Sequence, residues 1–215
     1  MSRTSAKDAD LQELITAERR DIAQVLESLP AESWETPSLC AGWRVREVVA
    51  HMTMPFRYST LRFAAEIARD RGNFSRMADR CARRDAAMAA DALVGALRDN
   101  AARPWKPPGG GLAGALVHDV IHGLDMTAAL GSGRQVPEDR LRLVLDAITR
   151  PRTLRYFGAD LSQVEFRADD IDWSFGSGEP VCGPAQELAL ILCGRKLPAG
   201  RLRGALSGRY ASAPP

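Results

Sequence analysis

Only three histidines and three lysines occur among the 215 residues, and the four cysteines, at 40, 81, 182 and 193, include no C-x-x-C pair. That spacing, with no secretory context, argues for reduced thiols and against both a disulfide framework and a cysteine-based zinc site. The stretch from Met1 to Asp10 is polar and lacks the apolar core of a signal peptide. Nowhere do about 18 apolar residues run together, so no membrane span is expected and the location expected is cytoplasmic. No block of like charge exceeds three residues, and 29 basic residues nearly balance 27 acidic ones. A nucleic-acid partner, which needs a clustered basic surface to release counterions, is not expected. The 26 arginines that stand against the three lysines, together with abundant alanine, fit a GC-rich coding genome better than any function.

What remains is a composition that folds: 45% hydrophobic and 26% charged, in the range of ordinary globular chains. Apolar residues recur at helical spacing over Leu11 to Leu29, where Pro30 ends the run, and again through Val45, Val48, Val49 and Met52, where Pro55 kinks or stops the helix. Phe56 to Arg69 and Ser75 to Ala102 are helix-compatible, the second as one long element. RPWKPPGGG, residues 103–111, is a loop, since three Pro and three consecutive Gly lie in nine residues. Leu112 to Leu130 is helical and stops at Gly131 and Gly133, and a helix opened by Pro137 runs to Pro151. After about residue 155, Val164 to Ala168 and Ile171 to Phe175 read as a hairpin, residues 176–180 as a turn, and Gly183-Pro184 as the opening of an apolar helix that ends at Gly194. The fold class expected is therefore α+β, mainly α: a helical bundle over 1–152 followed by a small α/β domain over 153–215.

The histidines carry the chemistry. His118 and His122 stand four apart on one helix, so both side chains leave the same face about one turn apart. His51, the only other histidine, follows Val48 and Val49 at the edge of another apolar stripe. Helical bundles build metal sites from inward side chains on facing helices, and three imidazoles with one open position form a catalytic rather than a structural zinc pattern. The competing reading is three hydrogen-bonded histidines bordering a core. Other signals are weaker. Ser177 does not fit the nucleophile elbow, because Phe175 occupies its first glycine position. Gly109 to Gly111 lack the Lys-Ser/Thr of a phosphate loop and read as a rim. Cys40, eleven residues before His51, reads as a turn residue, and Glu47 as a solvated partner of Arg44 or Arg46.

Three segments resemble one family. WETPSLCAGWRVREVVAHM (34–52), HDVIHGLDM (118–126) and IDWSFGSGEPVCGPAQELALILCGR (171–195) resemble, in order, segments of the mycothiol-dependent maleylpyruvate isomerase family. That family lies within the DinB-like superfamily of metal-binding four-helix bundles. The resemblance implies a DinB-like four-helix bundle with a sterol-carrier-like C-terminal domain. It makes His51, His118 and His122 the ligands of a divalent metal, zinc above all, and mycothiol the co-substrate. Where the isomerase carries a Glu, this chain has His118, which leaves the ion its full charge and leaves the reaction open to differ. A coordinated thiol is deprotonated near neutral pH, so the implied activity is transfer of a thiol to a small electrophilic substrate, or its cis-trans isomerisation. Asp125, three residues after His122, is the candidate carboxylate behind an imidazole. Arg195, in the family's Gly-Arg pair, is the candidate clamp for a substrate carboxylate. A non-catalytic small-ligand-binding protein and a metal-dependent hydrolase using bound water are the alternatives, and oligomeric state stays open.

Overall fold

The computed structural model describes residues 3–213, which are mainly helical with one small sheet. Two compact units divide the chain at Gly131/Ser132, ahead of the boundary after residue 152 expected from the sequence. In the first unit, helix α1 (Arg3–Glu27) turns Ile15, Ile22 and Leu26 inward, all at most 3% exposed and spaced on one helical face. It packs against α5 (Ala90–Arg98) and α6 (Gly111–Thr127). Helix α2 (Val45–Arg57) buries Val45, Val48, Val49 and Met52 and packs against α4 (Phe74–Asp85), α5 and α6. Helix α3 (Thr60–Arg69) buries no residue fully and rests on α4.

Two helix boundaries differ from the sequence reading. Pro55 lies inside α2 and does not stop it. A proline removes only one intrahelical hydrogen bond, and the chain breaks three residues later, where the Ser59 side chain accepts from Arg62 N at 3.2 Å and caps α3. The long element over 75–102 is two helices. Residues 86–89 turn out of the helix although alanine favours it, because Ala86 and Met88 pack onto the core while Asp85 is pinned by Arg57 and Tyr58.

In the second unit, α7 (Glu138–Ile148) buries Leu141, Val144, Leu145 and Ile148 and packs on α9 (Ala185–Leu192), which is buried along its whole length save Gln186. Pro151, expected to end a helix, occupies the first turn of another, α8 (Pro151–Phe157), where its missing N–H costs nothing. The sheet has order β2-β1-β3. The expected hairpin is present with a shorter second strand that starts at Ser174 and not at Ile171: β1 (Val164–Ala168) pairs antiparallel with β2 (Ser174–Gly176), Phe166 opposite Phe175. β3 (Glu179–Gly183) replaces what reads as turn and helix start, and lies parallel to β1 with Val181 opposite Phe166. Only Val181 of β3 is a large apolar residue facing the core, and Pro180 is tolerated because β3 is an edge of the three-stranded sheet. Among the described residues no helix is long and apolar enough to cross a membrane.

Candidate metal centre

The turn before α2 builds one wall of the centre. The Ser38 backbone N–H and hydroxyl both donate to Trp43 O at 2.8 Å, and Gly42 supplies the positive φ of 78° that the reversal needs. Leu39 N donates to Asp125 O at 3.0 Å, which ties the turn to α6. The Glu47 carboxylate then accepts from Arg44 N at 2.8 Å, the N3 half of a capping box, and starts α2 at a fixed angle. Glu47 is buried rather than solvated. Burial raises its pKa, but hydrogen bonds from the Arg44 side chain and backbone outweigh this and hold it below the usual carboxylate range. One turn further along α2 stands His51.

α6 begins after a loop folded onto it. A Cβ on Gly110 would lie 2.8 Å from the Pro107 ring, so glycine permits this close approach. The loop brings the Trp105 ring edge-on to His118, with centroids 4.9 Å apart. His118 and His122 then project from α6 toward His51. The three ring centroids lie 4.8 to 5.1 Å apart, and one nitrogen from each ring lies within 4.8 Å of the others. His51 Nε2 and His118 Nε2 face each other at 3.2 Å. Trp43 packs against His51 and His122 at 5.1 and 6.2 Å, its indole N–H donating to Asp79 Oδ1 at 2.8 Å. Asp79 is held below the usual carboxylate range by hydrogen bonds from Arg83 and then Trp43, against a smaller opposing effect of burial.

Behind two of the rings stand carboxylates. His118 Nδ1 lies 2.8 Å from Asp119 Oδ1, and His122 Nδ1 lies 3.0 Å from Asp125 Oδ2. A carboxylate accepts only, so each Nδ1 is the donor, which in a neutral ring leaves Nε2 with its lone pair. The donor set therefore fits a divalent cation: neutral imidazoles converge, and the buried acids behind them orient two of the three.

Asp125 thus lies beside His122, as its spacing suggests. Arg195 lies in the second unit, just past α9, with its guanidinium donating to Cys193 O at 2.8 Å. Two neighbours, Arg19 and Cys40, escape the sequence reading, and a third, Asp119, is marked there only by its place beside His118. Asp119 follows His118 directly, and adjacent helical residues do not face each other, yet its side chain bends back to the ring. Arg19, which holds Asp119, is one arginine among 26 and carries no motif. Cys40 comes within 4.8 Å of ligand atoms of His122 and Asp125, although it reads as a plain turn residue. A separate cavity of about 550 Å³, lined by Trp34, Arg46 and Val94 among others, contains none of the three histidines.

Three imidazoles converge in the helical first unit, two of them backed by carboxylates, and such a group could hold a metal ion. The profile described as "Mycothiol maleylpyruvate isomerase N-terminal domain" matches residues 15–126, the stretch that contains all three histidines. The chain belongs to the mycothiol maleylpyruvate isomerase family. Among solved structures, one titled "Crystal structure of the mycothiol-dependent maleylpyruvate isomerase" superposes with a TM-score of 0.58 at 15% identity, covering 94% of this chain and 93% of that one. A second, titled as a histidine-to-alanine mutant of such an isomerase, gives 0.59 at 12% identity with the same coverage. At these identities the likeness is one of fold. Among curated proteins none matches the chain.

Proposed function

We propose that the protein is a metal- and thiol-dependent enzyme that transfers a low-molecular-weight thiol, mycothiol, to a small electrophile or isomerises it. The observation that carries this reading is the convergence of His51, His118 and His122 within 4.8 Å, inside the segment that matches the family. In this reading the helices of the first unit include a DinB-like four-helix bundle, the second unit is the sterol-carrier-like domain, and the enzyme works in the cytoplasm. His51, His118 and His122 would hold the ion, zinc in our reading, through one ring nitrogen each. When bound, it lowers the pKa of a coordinated thiol and supplies a nucleophile at neutral pH. The chain's own groups do the rest. Asp125 fixes the tautomer of His122. Trp43 and Trp105 wall the histidines with apolar surface, which limits the approach of water and strengthens electrostatic interactions at the site. Arg195, on the strength of the family resemblance, clamps a carboxylate of the electrophile. A maleylpyruvate-like substrate, an unsaturated acid, has both features this chemistry needs.

Metal analysis of the purified protein, followed by thiol-dependent turnover, tests the reading. We expect about one zinc per chain and a mycothiol-dependent activity, both lost in His122→Ala. A wild-type protein without stoichiometric metal, or a His122→Ala variant unchanged in metal content and activity, overturns it. Turnover that proceeds equally without added thiol replaces it with metal-dependent hydrolysis.

A further inference from the structure

Asp119 contacts His118 through one carboxylate oxygen while a second partner holds the other. Neighbours on a helix diverge by about 100°, so a carboxylate at the next position contacts the preceding ring in a constrained rotamer. The constraint comes from α1. Arg19 Nε donates to Asp119 Oδ2 at 2.7 Å, leaving Oδ1 for His118 Nδ1. The Arg19 side chain is fully buried and that of Asp119 nearly so. Arg19 Nη1 donates to Ala101 O at 3.1 Å and to Arg103 O at 2.9 Å, where the loop that carries Trp105 departs. The guanidinium also lies 4.9 Å from the ring centroid of Phe56 on α2. One side chain thus touches both the carboxylate behind His118 and the root of the loop whose Trp105 abuts the same ring.

Stability alone does not account for this arrangement. A buried ion pair is often no more stable than apolar residues of the same volume. Arg19 Nη2, moreover, is buried without a hydrogen-bond partner among the described residues, and such a donor carries a desolvation cost.

We propose that Arg19 is a positioning residue for the metal centre, acting through Asp119 to present His118 Nε2 as a lone pair and through the 101–103 carbonyls to seat Trp105 against it. The inference rests on the three histidines being the metal ligands. Arg19→Met should lower zinc affinity, measured by chelator competition at fixed pH, by 10- to 100-fold, the usual effect of removing an outer partner of a metal-ligating histidine. Arg19→Lys, which keeps a cation for Asp119 but not the planar fork, should recover part of that loss. Because Arg19→Met strands a buried carboxylate and can fail to fold, Arg19→Met/Asp119→Asn is the second variant, and it should show the same loss without the stranded charge.

A long-range ¹H–¹⁵N spectrum of the zinc-free full-length chain supplies a readout that general destabilisation does not move. His118 should be a single Nδ1–H tautomer in wild type and in Arg19→Lys, and a mixture in the other two variants. Zinc affinity within threefold of wild type in the folded double variant, or an unchanged His118 tautomer there, overturns the proposal. A wild-type chain that binds no zinc overturns the metal reading instead, and the tautomer spectra still decide whether Arg19 orients His118.

Discussion

Two of the arginine–carboxylate clusters in the first unit are built on opposite plans. At the candidate metal centre a single arginine meets a single carboxylate: Arg19 holds Asp119, and both side chains are at most 3% exposed. Around α3 and α4 the partners are shared. Asp85 accepts from Arg57 Nη1 and Tyr58 Oη, each at 2.7 Å, and from Arg84 Nε at 2.8 Å. Glu66 accepts from Arg80 Nη1 at 2.7 Å and Arg84 Nη1 at 2.6 Å, while Arg80 also holds Asp70. These arginines are partly exposed, Arg84 to 41%. Shared partners tolerate the loss of any one, because the remaining donors still satisfy each acid. A single chain of contacts imposes one orientation on its end member and loses it entirely when a link is cut.

Replacing one arginine in each cluster should separate the two plans most widely. Arg19→Met leaves Asp119 buried without its cation and should destabilise the protein by about 3–5 kcal/mol. Arg84→Met leaves Asp85 with Arg57 and Tyr58, and Glu66 with Arg80, so about 0–1 kcal/mol is expected for a half-exposed pair. Urea unfolding at pH 7 measures both. Equal losses would mean that redundancy does not distinguish the clusters.

Trp43→Phe comes next in size. It keeps an aromatic ring beside His51 and His122 but removes the indole N–H that donates to Asp79. Because Asp79 is 47% exposed and keeps Arg83, the loss should be about 1 kcal/mol, with zinc stoichiometry unchanged. A Trp43→Phe protein that has lost its metal would show that this wall, and not the Arg19 chain alone, holds the histidines in register.

The same contrast explains what was legible in the sequence. His118 and His122 announce themselves because the helical period is short-range and fixed, and His51 because it borders an apolar helical stripe after a turn region with Trp34 and Gly42-Trp43. Asp125 is legible for the same reason, being three residues from His122. Asp119 is marked only by standing next to His118, and Arg19 not at all, since 100 residues separate the two and nothing local marks the arginine. The break over residues 86–89 and strand β3 were hidden similarly. Alanine propensity favours a continuous helix, and a segment with Glu179, Pro180 and Gly183 lacks strand signals, yet tertiary contacts with Asp85 in one case and with β1 in the other decide the outcome.

The smallest effect expected is on acid stability, and it tests the shared plan by itself. Hydrogen bonds from Arg84 and then Arg80 outweigh burial and lower the Glu66 pKa from its ordinary value to about 2. A carboxyl whose folded pKa is depressed contributes stability that is complete above its unfolded pKa, about 4.3 for Glu. That contribution fades as pH falls from there through about 2, because the unfolded chain takes up the proton first. Glu66→Gln abolishes it, so the difference in unfolding free energy between wild type and variant should be constant from pH 7 to pH 5 and shrink between pH 4.5 and pH 3. With Arg84 half exposed, solvent screening keeps the full difference under about 1 kcal/mol. Asp85, also held low by Tyr58, Arg84 and Arg57 against its burial, stays in both proteins and cancels in the comparison. A difference independent of pH down to 3 would mean that Arg80 and Arg84 do not stabilise the ionised form of Glu66, and that sharing partners in this cluster serves packing rather than charge.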